Sequence, residues 1–104
     1  MPKLKINNPY KFKGKGEPVT MQQVTQNYII AVVNSKYPEG IDSSYRRIFG
    51  RLIAKLDEGI EKDLDEIDIE IAELDLIKNA LREAKLPALM AYNANILEDI
   101  IEKI

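Results

Sequence analysis

Residues 3–6 read Lys-Leu-Lys-Ile, with an apolar side chain at every second position, and the same period returns at residues 66–71, where carboxylates alternate with isoleucine. Successive side chains of a strand point to opposite faces, so each stretch predicts a short strand with one apolar and one charged face. The two patterns fit one another. Leucine and isoleucine of the first can meet isoleucines of the second on one face while lysines meet acids on the other, each favourable pair contributing about 0.2–1 kcal/mol. A strand at about residues 66–70, paired with the N-terminal arm, is therefore expected. A helix from about Ile71 to Lys85 follows it, with Leu74, Ile77, Leu81 and Ala84 inward. Acids are poor strand formers, and Leu64, Ile67, Ile71, Leu74 and Leu81 also match a helical stripe. One continuous helix from Leu64 onward, and with it an all-α chain, is the alternative.

Tyr10-Lys11-Phe12-Lys13 repeats the period of two after the turn signal Asn7-Asn8-Pro9, which predicts a second short strand, and residues 14–18, Gly-Lys-Gly-Glu-Pro, read as a loop. The period then changes to that of a helix. Thr20 is placed to cap, Gln23 stands three residues on as in a capping box, and Val19 and Val24 are spaced for a hydrophobic staple. Met21, Val24, Tyr28, Ile29 and Val32 share a face, while Ile30 and Val33 widen it, so this helix should be central. It should stop near Lys36, because Pro38 disfavours helical geometry at Tyr37 and Gly40 completes the break. Asp42 or Ser43 can cap a second helix with Tyr45, Ile48, Phe49, Leu52, Leu56 and Ile60 inward. Pro87 suits the first turn of a last helix, for which Leu89, Tyr92, Ile96, Ile100 and Ile104 predict the inner face.

Charge changes the picture more than composition does. Residues 1–55 hold ten Lys or Arg against three acids, a balance of +7, and residues 56–104 hold five against fourteen, a balance of −9. Two halves folded onto one another would largely cancel; left apart, they would offer opposed surfaces for partners or for head-to-tail self-association. A length of 104 residues with 45% hydrophobic and 31% charged content fits one soluble domain, with residues 1–18 as a basic arm and 20–104 as a helical body. The longest clean apolar run, residues 28–33, is far short of the roughly 20 residues of a membrane helix. With no cysteine and no apolar core after the N-terminal lysines, a cytoplasmic location is expected.

Candidate chemistry is sparse. The chain has no histidine, which removes the commonest general base and most transition-metal sites, and without cysteine there is no thiol nucleophile. Ser35, Ser43 and Ser44 sit at turn or cap positions, and Gly14-Lys15-Gly16 lacks the spacing of a phosphate loop. Ten of the nineteen residues from 57 to 75 are acidic. Asp63 and Asp65 match the first two acidic positions of a calcium loop, but Asp68 stands where that loop needs glycine. The run reads better as a solvated face, with mimicry of nucleic-acid charge as a sharper option. Arg47, Arg51 and Lys55 recur at four-residue steps beside Arg46. With Lys11, Lys13 and Lys15 of the arm they are the candidate nucleic-acid contacts, Tyr10 and Phe12 being available to stack. Tyr10, Phe12, Ile100, Ile101 and Ile104 are the candidate protein contacts.

The order of segments also resembles a known group. Lys3-Leu4-Lys5-Ile6-Asn7 followed by Pro9, Val19-Thr20-Met21-Gln22-Gln23 opening a helix, and an acidic strand passing into Glu73-Leu74-Asp75-Leu76-Ile77-Lys78 is similar to small accessory proteins encoded by tailed phages and prophages. The resemblance implies a short strand, a helical body, no enzymatic role and a host-cytoplasm location, and it supplies no catalytic or binding residues. It departs at Glu70, which stands where a better cap such as Ser is expected. Taken together, the expectation is a mostly helical α+β domain with about four helices and a small sheet from the arm and residues 66–70. Its expected work is binding a protein partner, without cofactor or metal. Self-association is expected, and nucleic-acid binding is the alternative.

Overall fold

The structure, a computed structural model, describes residues 1–7 and 20–104. The expected strand at residues 10–13, the loop at 14–18 and the staple residue Val19 lie outside the described residues. Among those described, the elements run β1 (Lys3–Lys5), α1 (Met21–Lys36), α2 (Ser43–Glu61), β2 (Glu66–Asp68), α3 (Ile71–Glu83), a single 3₁₀ turn (Ala88–Met90) and α4 (Ala91–Glu102). The mostly helical α+β reading holds, and the all-α alternative does not.

β1 and β2 pair antiparallel, with Lys3 opposite Asp68, Leu4 opposite Ile67 and Lys5 opposite Glu66. Beyond the ladder, Ile6 N–H donates to Asp65 O at 2.8 Å and Ile69 N–H to Pro2 O at 2.9 Å. Leu4, Ile6, Ile67 and Ile69 are all buried, whereas Lys3, Lys5, Glu66 and Asp68 stay outside. On that outer face Lys3 Nζ lies 2.9 Å from Asp68 and 3.9 Å from Glu66. The hydrogen bond from Lys3 and its positive charge hold the Asp68 carboxyl below the ordinary aspartate range.

Local chemistry sets each helix boundary. The Thr20 hydroxyl accepts from Gln23 N–H at 3.2 Å, and Asp42 accepts from Ser44 and Tyr45 N–H at 3.0 and 3.1 Å. Helix α2 ends in a Schellman motif: Leu64 N–H reaches Gly59 O, Asp63 N–H reaches Ile60 O, and Asp63 takes the left-handed conformation with φ 52°. That reversal sends β2 back over α2. At the start of α3, Glu70 does serve as the cap residue, and its N–H donates to the Glu73 carboxylate at 3.3 Å, part of a capping box.

Helix α1 packs against α2, α3 and α4, with Val24, Ile29, Val32 and Val33 in the core. Its Gln22, Thr25 and Gln26 are buried too, and each finds a partner. Gln22 donates to Asp63 and to Leu64 O, Gln26 donates to Asp57 at 2.6 Å, and the single Thr25 hydroxyl proton is shared between Ile6 O and Met21 O. Each would cost about 1–3 kcal/mol if left unpaired.

Two sequence expectations are corrected. Tyr45 is 42% exposed rather than inward, its ring tilted on Tyr37 at 5.8 Å. In α4 the inner face is Asn93, Ala94, Leu97 and Ile101, a quarter-turn from the expected stripe. Leu89 and Tyr92, expected inside, are 96% and 53% exposed. The core selects Leu97 and Ile101, and the side-chain amide of Asn93 donates to Tyr28 OH at 2.6 Å, which locks that phase.

The sheet lies so close to α2 that a Cβ at Gly59 would stand 2.7 Å from Ile6 Cδ1 and 3.0 Å from Ile67 Cγ2. Gly59→Ala is expected to lose about 1–2 kcal/mol net, overpacking outweighing the gain in helix propensity. Gly50→Ala, on the same helix with nothing within 4 Å of an added Cβ, should gain about 1 kcal/mol in dilute solution. Thermal melts of the two variants should therefore shift in opposite directions; a Gly59→Ala variant melting with the wild type would contradict the close approach. Asp68 offers a second check. With its folded pKa lowered, the Lys3–Asp68 contribution is complete above the ordinary aspartate range and is lost as pH falls through the lowered value. An NMR titration should show Asp68 protonating below an ordinary aspartate, and Lys3→Ala should return its midpoint to the ordinary range.

Candidate protein-binding groove

Because α4 turns Leu97 and Ile101 inward, a second apolar stripe is left facing out. Tyr92, Ile96, Ile100 and Ile104 follow at four-residue steps, so they lie along one side of the helix. Ile100 packs partly against the core, Ile96 is half-buried, and Ile104 is 39% exposed. β1 runs alongside and brings Lys3 and Lys5. Together with Asp99 and Lys103 they line a groove of about 360 Å³ whose apolar side is Ile96, Ile100 and Ile104. Its rim carries Lys3, Lys5 and Lys103 with Asp99, Lys3 being at the same time paired with Asp68. A groove of this size takes a few side chains of a partner, with the isoleucines supplying apolar contact and the lysines favouring carboxylates beside it.

Of the other sequence candidates, Ile101 is fully buried and belongs to the core. Tyr10, Phe12, Lys11, Lys13 and Lys15 lie outside the described residues. Arg46, Arg47 and Arg51 are exposed on α2. Lys55, one step further along the same stripe, is drawn inward, where its Nζ meets Glu73 Oε1 at 2.5 Å. Glu73 is 2% exposed, and its Oε2 has no hydrogen-bond partner. A carboxylate buried to this degree depends on its one cation. Lys55→Met should cost about 3 kcal/mol, and adding Glu73→Met should recover most of it, the remainder being the lost cap at Glu70. Denaturant melts of the single and double variants check this; a double variant less stable than the single would refute it.

A shallower depression of about 390 Å³ lies by Met1, Lys55 and Leu64, rimmed by Glu58, Glu66 and Asp68. Among the described residues no three carboxylates converge as a metal ion would need. No described helix is long and apolar enough to cross a membrane.

Sequence reasoning missed the α4 phase, the polar seam of α1 and the buried Glu73. Gln22, Thr25 and Gln26 do stand at helical spacing, but polar residues at such positions ordinarily signal solvent, so only their distant partners reveal the burial. Glu73 was legible as an acid near a helix start, not as the partner of a lysine eighteen positions earlier. Comparison with known proteins gives no matching family model, no matching curated relative and no matching solved structure.

Proposed function

We propose that this chain is a non-enzymatic protein-binding protein that works as a small accessory or regulatory factor, in keeping with its resemblance to phage-encoded accessory proteins. The observation that carries this reading is the outward apolar stripe of α4. A helix that already buries one apolar face has no folding reason to keep isoleucine at positions 96 and 104 on another, and exposed apolar surface rimmed by charge is characteristic of contact sites. The lysine rim favours a partner segment in which apolar and acidic residues alternate or share a helix face. Self-association belongs to the same reading, since so small a body gains stability from an added interface.

Nucleic-acid binding is the second reading, supported by Arg46, Arg47 and Arg51, which stand exposed without an ion pair among the described residues. Against it, Lys55 is committed to Glu73, and the chain has net charge −2 and a pI of about 5.2, well below the basic values usual for such domains.

The test begins with Ile96→Asp/Ile104→Asp, two positions outside the core cluster; loss of the half-buried Ile96 lowers the variant's melting temperature somewhat, and circular dichroism should show it fully folded at the assay temperature. A partner recovered from host extract and purified should bind the variant at least about tenfold more weakly by calorimetry. Equal affinities would move the contact elsewhere. DNA or RNA titrated at two salt concentrations separates the second reading, which demands affinity that falls steeply with salt.

A further inference from the structure

Helix α2 poses two questions that folding of a single chain does not answer. Gly50 sits in its middle, where glycine destabilises a helix relative to alanine, yet an added Cβ there would meet nothing within 4 Å. Gly59, by contrast, is required by Ile6 and Ile67. The second question is the order of charge. The arginines occupy the N-terminal half and Asp57, Glu58 and Glu61 the last turns, with no acid in the first turn and no base in the last. Within the helix the charges therefore run against its dipole, and only the flanking caps, Asp42 before it and Lys62 after it, run with it.

Arg47, Gly50, Arg51, Ala54, Glu58 and Glu61 recur at spacings of three and four, all are exposed, and they form one outward stripe. Arg47 and Arg51 make no ion pair among the described residues. The stripe is self-complementary about its centre. Arg47 stands seven residues before Ala54 and Glu61 seven after it; Arg51 stands three before and Glu58 four after, on the same side of the helix.

We propose that two copies of this chain pair through α2 as an antiparallel, two-fold dimer, with Ala54 at the axis, Arg47 facing the partner's Glu61 and Arg51 facing the partner's Glu58. The symmetry makes each contact twice, as an isologous interface must. Gly50 and Ala54 remove side-chain bulk at the crossing, so the helices approach at the short end of the usual range of about 8–10 Å. The two dipoles then run antiparallel, and the arginines and glutamates inside each helix face their opposites across the interface. Glu58 is shared with Lys62 at 2.6 Å, an exposed pair of the kind that contributes little and exchanges readily. This surface shares no residue with the groove of β1 and α4 and stands or falls separately from it.

Sedimentation equilibrium over a concentration series at low and high salt tests the dimer, with circular dichroism melts confirming that each variant folds. Wild type should dimerise more strongly at low salt. R47E/R51E alone and E58R/E61R alone turn the four attractions into repulsions, and each should dimerise at least about 100-fold more weakly. An equimolar mixture of those two variants should regain the dimer, because every reversed end then meets a reversed end and every native end a native one. Gly50→Leu should lose it with all charges intact, whereas Ile96→Asp/Ile104→Asp should keep it. A wild type that stays monomeric at low salt, a dimer that survives both reversals, or a mixture that fails to restore it would overturn the proposal.

Discussion

The pairing of β1 with β2 is the constraint on which the rest of the architecture depends. It joins a basic start to an acidic middle across more than sixty positions, and it does so with both faces matched: leucine and isoleucine beneath, lysine against aspartate and glutamate above. A slip of one residue would turn Leu4 and Ile6 to water and bury lysines, so the register is set strongly by burial alone. The ionic outer face adds selectivity in the same sense. Its individual pairs are exposed and contribute little stability, but a slip of one residue would set Lys3 opposite an isoleucine and break its pair with Asp68.

From that pairing the placement of the helices follows. Gly59 lets the sheet settle onto α2, the left-handed Asp63 reverses the chain between them, and Gln22 of α1 holds the reversal by donating to Asp63 and Leu64. β2 then delivers Glu70 and Glu73 to the start of α3, where Glu73 caps the helix and takes Lys55 from α2. One buried carboxylate therefore ties three consecutive elements. Its unpaired oxygen makes the arrangement specific rather than generous in energy, since a buried charge with a single cation is costly to misplace.

Much of this was legible in the chain. Thr20 with Gln23, Asp42 before Tyr45, and the alternation around Ile67 each specify a local conformation through nearest neighbours in sequence, and the elements form where those signals stand. The strand could be separated from a helix only by finding its partner, because Ile67 and Ile71 fit both periods. What was not legible shares a cause. The phase of α4 is decided by Tyr28 reaching Asn93, and the burial of Gln22, Gln26 and Glu73 by partners eighteen to forty-two positions away. Periodicity reports that a helix has an apolar side; it does not say which of two apolar sides faces the core. In α4 the stripe with the more regular spacing is the outer one.

That ambiguity is informative about function. A residue type that folding requires can be recognised by what its replacement would strike, and Gly59 is such a case. Gly50, in the same helix, strikes nothing, just as Ile96 and Ile104 stand outside the core cluster. The sequence thus carries two layers of specification, one satisfied within the chain and one left open at its surface. The open layer is not scattered: it gathers into an apolar strip with a lysine rim on α4 and β1, and a self-complementary strip of arginine, small residue and carboxylate on α2. Chance exposure would leave single apolar side chains and charges paired with near neighbours; in the α2 strip Glu58 alone has such a pair, with Lys62. Alignment of unexplained residues along one face of each of two helices is what contact with another surface would demand.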